Sequence, residues 1–389
     1  MRALLEESFR AAVAAADPLQ ILGAHLPPPP KGRTFVAAAG KAAASMALTV
    51  EQHWSAPLEG IAVTRYQHGL PTKRIRVIEA GHPVPDEAGE RAAAQILENA
   101  ARLGPEDLLL VLISGGGSSL LSLPAPGVTM SALKALTSQL LRSGADIREM
   151  NTVRKHLSAI AGGRLAAASR APVVALIISD VVGDDPTHIA SGPCAADPTT
   201  IDDAKAILAR YGIQFRGPFS ESPKSVKATN KVIATAYRSL EAAAEVFRRH
   251  GVRPQILGDD ITGEARKVGA EMAHLARLAK GPTALISGGE CTVTIDSEGG
   301  RGGRCGEFLL SLGIESGGLW AIAADTDGID GSEDNAGAIL TPESIRKGPD
   351  ARGHLARHDS YGFFSALGDL VITGPTRTNV NDFRAILVP

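Results

Sequence analysis

Thr34-Phe35-Val36-Ala37-Ala38-Ala39-Gly40-Lys41-Ala42-Ala43-Ala44-Ser45-Met46-Ala47 passes from a short apolar run through a glycine and a lysine into an alanine-rich stretch of helical period. A strand that hands over to a helix in this way is the repeating unit of an α/β fold around a largely parallel sheet. The pattern recurs. Residues 108–113, 173–178, 283–286 and 319–323 are apolar runs of strand length that end in small or polar residues and lead into alanine- or leucine-rich helical patterns. The expected fold class is α/β throughout. At 389 residues the chain exceeds the size at which one hydrophobic core usually stops growing, so two α/β domains are expected.

Residues 212–227 mix Gly, Pro, Ser and Lys without either periodicity, which places the domain crossover near them. The first domain is expected over 33–225 and the second over 226–389. Residues 1–32 supply an N-terminal helix and the stiff connector Pro27-Pro28-Pro29-Pro30-Lys31-Gly32, which leaves that helix free to pack on either domain. Hydrophobic residues at 44% and charged residues at 21% describe a globular chain and exclude disorder. A formal net charge of -2 gives no global attraction to nucleic acid or to an anionic membrane, and neither is expected as a partner. The first ten residues carry Glu6 and Glu7 where an export signal has basic residues before an apolar run. No apolar stretch approaches the roughly 20 residues of a membrane-spanning helix. Cys194, Cys291 and Cys305 are widely spaced, form no C-x-x-C pair and fit a reducing compartment, so the expected location is the cytoplasm. The oligomeric state stays open, a homodimer included.

In open parallel sheets ligands bind beyond the carboxyl ends of the strands, so the residues after each apolar run carry the chemistry. Gly40 and Lys41 follow the first run. A lysine in a first helical turn opposes the helix dipole by roughly 0.3–1 kcal/mol, a cost that a bound anion reverses. Lys41 is therefore a candidate phosphate ligand, with a solvated lysine as the plain alternative. Ser114, Gly115, Gly116, Gly117, Ser118 and Ser119 follow the second run. Bare glycine backbone there lets a ligand approach, and successive N–H groups can form an anion nest; a flexible turn is the alternative. The loop is neither G-x-x-x-x-G-K-[ST] nor G-x-G-x-x-G, and neither fingerprint occurs elsewhere, which argues against a P-loop enzyme and against the usual dinucleotide-binding dehydrogenase.

Asp180, directly after the third run, is placed to hold Mg²⁺ on substrate phosphates or to accept a hydroxyl proton. Asp184 suits a metal or a turn equally, and Asp185 before Pro186 reads as a helix N-cap. Arg154 and Ser158 lie four apart and are expected to share one helix face, where Arg154 either clamps an anion or faces solvent. The fourth run leads into Ser287, Gly288, Gly289 and Glu290, then an alternating strand, then Arg301 and Arg304 among glycines before another helix. Two arginines in that setting suit a phosphoryl group in transfer. Asp325, Asp327 and Asp330 after the fifth run superficially suggest calcium, but Ile329, Asp330 and Ala336 fail the EF-hand pattern at its fifth, sixth and twelfth positions.

Several of these segments occur together and in one order. They are Gly40-Lys41-Ala42, residues 114–119, 151–158, 179–193, 287–290, 302–304 and 326–331, and the tail Thr373-Gly374-Pro375-Thr376 with Thr378-Asn379-Val380-Asn381-Asp382. In this the chain resembles the glycerate 2-kinase family, whose C-terminal half is known as the MOFRL domain and whose members were sometimes labelled hydroxypyruvate reductases. The resemblance implies ATP- and Mg²⁺-dependent phosphoryl transfer to the 2-hydroxyl of D-glycerate, in a cleft between a Rossmann-like domain and the second α/β domain. It implies catalytic roles for Lys41, Asp180 and Arg304; Asp180 and Asp184 are read from their position after the third run as candidate metal ligands. Substrate or phosphate contacts are expected from Gly40, residues 114–119, Arg154, Ser287, Gly288, Gly289, Glu290, Arg301, Asp327, Arg377 and Asn379. Four positions depart from the usual family pattern. Cys305-Gly306 replaces Asn-Gln, Ala161 replaces Lys, and Arg377 replaces Gly. A kinase for another small 2-hydroxy acid, a hydroxypyruvate reductase and a non-catalytic sugar-acid sensor remain as alternatives.

Overall fold

The computed structural model describes residues 1–295 and 299–389. Two compact units divide the chain: Pro18–Ile233, and Met1–Asp17 together with Ala234–Pro389. The division falls at 233/234 rather than 225/226 because one further strand completes the first sheet.

That sheet consists of β1 (Thr34–Ala39), β2 (Leu58–Arg65), β3 (Ile75–Ala80), β4 (Leu108–Ile113), β5 (Val173–Ile178) and β6 (Ala228–Ala234), in the order β3-β2-β1-β4-β5-β6. β1 to β5 pair in parallel. This is the doubly wound order, which reverses direction between β1 and β4. Every residue of β1 and β4 is buried, as the continuous apolar reading of these strands requires of a sheet covered on both faces. On one face Phe35, Ala37, Leu109 and Val111 pack with Ala92, Ala93 and Ile96 of the helix Glu87–Ala101. That helix starts where the Asp86 side chain accepts the Gly89 N–H at 3.0 Å.

The second unit holds β7 (Arg253–Gly258), β8 (Gly263–Glu264), β9 (Thr283–Ser287), β10 (Cys291–Thr292), β11 (Trp320–Asp325), β12 (Gly337–Leu340), β13 (Leu370–Val371) and β14 (Asp382–Val388). Six of these form a mixed sheet in the order β13-β12-β11-β14-β9-β7, and β8 pairs with β10. β14 runs antiparallel to both β9 and β11, so those two run the same way and their carboxyl ends open on one edge, beside the start of β14. The alternating strand expected after Glu290 is limited to Cys291–Thr292, and its continuation reaches into 296–298, outside the described residues. The N-terminal helix Arg2–Ala14 belongs to this unit. Its Leu5, Phe9 and Ala12 pack with Leu240 and Phe247 against Ile286, Ile322, Phe383 and Ala385 of the sheet. Among the described residues no helix is long and apolar enough to cross a membrane.

An ion pair is buried in the first unit. Lys155 Nζ lies 3.3 Å from Asp197 Oδ1, with side chains only 1% and 0% exposed. Burial opposes ionisation of Asp197, but hydroxyl donors from Ser222 (2.7 Å) and Thr199 (2.8 Å), together with Lys155, hold its carboxyl below the ordinary value. Asp197→Ala leaves the lysine buried without its partner, so the urea midpoint should fall by the equivalent of about 3–5 kcal/mol. In the wild type this contribution is present above the unfolded carboxylate pKa of about 4 and is lost as pH falls through the lower folded value.

Candidate functional site

Two groups of polar residues gather at the strand ends, one in each unit. In the first unit, Gly40 follows β1 and Ser114 follows β4, the neighbours between which the strand order reverses. Gly40 has φ +130°, and a Cβ there would sit 2.1 Å from Ser114 Oγ, so only glycine lets the two loops meet. The loops are joined by Lys41 N–H to the Gly115 carbonyl at 2.8 Å and by Ala42 N–H to Ser114 Oγ at 2.9 Å. The helix Ala43–His53 starts directly behind Lys41, whose side chain is half-buried. Gly116 is left-handed (φ +81°), with the Lys41 side chain and the His82 ring beside it. Among the described residues, the backbone N–H groups of Gly115, Gly116 and Ser118 make no hydrogen bond. Gly117 N–H is used internally, on the Ser114 carbonyl. Neighbouring open donors in a turn with one left-handed residue form an anion nest.

Arg154 lies in the helix Ile147–Lys155. Its side chain is half-buried and makes no hydrogen bond or ion pair among the described residues, and burial alone lowers its pKa. An arginine so placed lacks the counter-charge that buried charges normally have. Ser158 does not share its face, because the helix stops at Lys155. The Ser158 hydroxyl instead accepts the N–H groups of Ile160 and Ala161 and donates to the Leu123 carbonyl. Asn151 on the same helix reaches Ser191, and Ser191 reaches Ser118 of the glycine loop. Asp180 follows β5 and is half-buried, and Asp184 sits in the same loop with φ +54°. Asp185 accepts the Thr187 N–H at 2.9 Å in a tight turn instead of capping a helix. His188 follows, with its Nδ1 buried and without a hydrogen-bond partner among the described residues. Burial lowers the His188 pKa, aided by Lys155 and opposed by Asp185.

In the second unit the centre is Arg304, the first residue of the helix Arg304–Ser316. Its Nη2 meets Asp325 at 2.7 Å, its Nε meets Asp382 at 2.8 Å, and its Nη1 meets Glu290 at 3.0 Å. The side chains of Asp325 and Asp382 are 4% and 0% exposed, whereas that of Glu290 is 55% exposed. Burial opposes the charge on Arg304, but the three carboxylates outweigh it and raise its pKa. Asp382 also binds Arg384 at 2.9 Å, and Arg384 donates to the Gly288 carbonyl at 3.2 Å. Asp382 is pushed up by burial but held below its ordinary pKa by these two arginines. Asp330 accepts the N–H groups of Cys305 (3.0 Å) and Gly306 (2.8 Å) at the start of the same helix, and burial pushes it up to about 7. Ser287 is buried at the end of β9, and Gly289 takes φ +105°. Asp327 is buried, with its carboxylate on the Ile329 N–H at 2.9 Å. Arg301 is held elsewhere, by Glu333 at 2.7 Å and over the Tyr361 ring at 4.0 Å. Arg377 takes φ +59° in the tail loop, and Asn379 is buried.

Several members of these groups were not visible as such in the sequence. His82 carries no motif signal of its own, and Ser191 lies in the 179–193 segment as part of a turn and not as a candidate site residue. Asp325 and Asp382 stand 21 and 78 residues from Arg304, so spacing could not pair them.

Residues 4–234 match the family described as Domain of unknown function (DUF4147), and residues 283–382 match the MOFRL family. A Pyrococcus horikoshii protein named Glycerate 2-kinase is 42% identical over 92% of this chain and 88% of its own length. The chain belongs to the glycerate 2-kinase family. Members of that family carry more than one name, for an Agrobacterium vitis protein called "Putative hydroxypyruvate reductase" is 50% identical over all of this chain and 94% of its own length. The solved structure of a Thermotoga maritima glycerate kinase superposes with a TM-score of 0.88 at 35% identity, covering 100% of this chain and 99% of that one.

Two outcomes are expected at Arg304 and its neighbours. Arg304→Met takes the shared guanidinium from two buried carboxylates and should cost about 3–5 kcal/mol of stability in chemical denaturation, beyond any loss of turnover. Asp330, with a folded pKa of about 7 against about 4 unfolded, contributes stability that is fully present below about pH 4 and is lost as pH rises through 7. Asp330→Asn should therefore lose less stability than the wild type between about pH 5.5 and about pH 8, read from melting temperatures.

Proposed function

We propose that this chain is an ATP-dependent glycerate 2-kinase that works in the cytoplasm, with Mg²⁺ as its metal. The γ-phosphoryl group moves to the 2-hydroxyl of D-glycerate, the hydroxyl proton passes to a base, and ADP and 2-phosphoglycerate leave. The observation that carries this reading is the pairing of Lys41 with the open N–H groups of the glycine loop at the reversal point of the sheet. Cation and nest together suit phosphate oxygens. The names of the Pyrococcus and Thermotoga relatives point the same way.

Each residue then has a physical task. Lys41 neutralises phosphate oxygens, and the N–H groups of Gly115, Gly116 and Ser118 fix them in place. Arg154, which has no counter-charge among the described residues, receives an anionic group, either the acid's carboxylate or a phosphate. Asp180 accepts the proton of the attacking hydroxyl. Arg304 is gripped on two sides by buried Asp325 and Asp382, so only its Nη1 side, paired with exposed Glu290, is able to turn toward transferring charge. Asp180 and Asp184, two carboxylates on one loop, fit a Mg²⁺ ion that draws its remaining ligands from phosphate and water, as that ion usually does. When bound, the metal neutralises charge on the phosphates.

The test is turnover of D-glycerate with ATP and Mg²⁺, with the product identified by enolase coupling in the absence of a mutase. Lys41→Ala should lower kcat about 10²–10³-fold, the range seen when one preorganised charge-stabilising group is removed, while the melting temperature holds. Reduction of hydroxypyruvate by a nicotinamide cofactor, with no ATP consumed in the presence of D-glycerate, would replace the kinase reading by the activity in the Agrobacterium relative's name.

A further inference from the structure

Asn151, Ser191 and Ser118 form a chain of side chains whose proton positions are fixed from one end. Asn151 is 2% exposed, and its Nδ2 donates to the His188 carbonyl at 3.3 Å. A carbonyl only accepts, so the arm of the amide that faces Ser191 is the oxygen. That oxygen accepts from Ser191 Oγ at 3.1 Å. The single hydroxyl hydrogen of Ser191 is then spent, and the 2.9 Å contact between Ser191 Oγ and Ser118 Oγ has to take its hydrogen from Ser118. The opposite order leaves a buried amide oxygen facing a lone pair with no donor, which a buried acceptor tolerates poorly. Ser191 is held in place by backbone that non-glycine residues rarely adopt, φ +49° at Ala190 and +58° at Ser191.

Ser118 thus presents lone pairs and no hydrogen. Ser119 is in the same condition, having donated to the Gly116 carbonyl at 3.1 Å, and Ser114 is buried with its oxygen on the Ala42 N–H. Backbone in this loop offers donors to an anion, whereas its half-buried serine side chains offer acceptors to a hydroxyl. The reacting hydroxyl of a kinase substrate must surrender its proton to a base that ionises near neutral pH, and a serine oxygen is not one. The hydroxyl that suits Ser118 is one that keeps its proton.

We propose that Ser118 accepts a hydrogen bond from the non-reacting hydroxyl of the acceptor acid, the 3-hydroxyl in D-glycerate, and so selects hydroxylated over deoxy acids. The proposal rests on the kinase reading of the same site. It is tested in the full chain by comparing kcat/KM for D-glycerate with the inhibition constant of D-lactate, which lacks the 3-hydroxyl. The proteins are the wild type, Ser118→Ala, and Ser118→Cys, which nearly keeps the shape but accepts weakly, with melting temperatures as the check on folding. Both variants should lose about tenfold in kcat/KM for D-glycerate, mainly through KM, the size of one hydrogen bond, while the D-lactate constant stays within about twofold. Equal weakening of both acids makes Ser118 part of the scaffold and overturns the proposal, as does unchanged D-glycerate kinetics in a folded variant. Failure of the wild type to phosphorylate D-glycerate is a separate result, seen before any variant is made, and it removes the kinase reading and this proposal together.

Discussion

The contact between the β1 and β4 loops is the constraint from which the first site follows. Gly40 and Ser114 approach so closely that a single methyl group at Gly40 would be driven into the Ser114 side chain. With that space kept empty, Lys41 and Ala42 donate their N–H groups across to the glycine loop. The backbone of Lys41 is thereby spent on the loop, and the side chain is left as the part that can answer a ligand. The same contact fixes Gly115 and Gly116 so that their own N–H groups, along with that of Ser118, stay unused among the described residues. A nest of donors beside a cation is then the product of one missing side chain and one reversal of strand order.

Arg304 is governed by a different balance. Three carboxylates around one guanidinium, with Arg384 behind Asp382, neutralise most of its charge before any ligand arrives. Burial makes Asp325 and Asp382 costly to detach, because a buried carboxylate that loses an arginine loses much of its compensation. Glu290 is exposed and screened, so its pairing with Arg304 is worth little. The arrangement orients the guanidinium rigidly and leaves one edge cheap to open, which is preorganisation of the kind electrostatic catalysis uses.

Strands that carry no competing signal were legible in the sequence. β1, β4 and β5 begin and end where their apolar runs do, because a strand buried on both faces has no polar alternation to blur its edges. The positions of Gly40, Lys41 and the 114–119 loop followed from those edges. The helix limit at Lys155 was not legible, since residues 156–158 continue a helical pattern whose end is set by the contacts of Ser158 with Leu123, Ile160 and Ala161. The mixed order of the second sheet was hidden for a similar reason. A strand-to-helix pattern reads the same whether the neighbouring strand runs parallel, as β4 does beside β1, or antiparallel, as β14 does beside β9. The partners of Arg304 and the hydrogen bonding of Ser118 come from tertiary contacts that no local spacing encodes.

The four departures from the usual family pattern do not bear equally on the substrate. Cys305 is fully buried and its thiol is pushed well above its ordinary pKa by burial, so it packs and does not titrate. Gly306 lies against Ser360, whose oxygen would be 2.5 Å from a Cβ there, so space that a longer side chain needs is already filled. Ala161 is buried, with its N–H on Ser158. These three alter packing and remove polar groups without presenting new ones. Arg377 is different in kind. At φ +59° a glycine sits without strain, whereas an L side chain costs on the order of 1–2 kcal/mol, so the guanidinium is kept against a local preference for its removal. Of the four exchanges it is the one that adds a charged group, and that group is carried on backbone that disfavours any side chain.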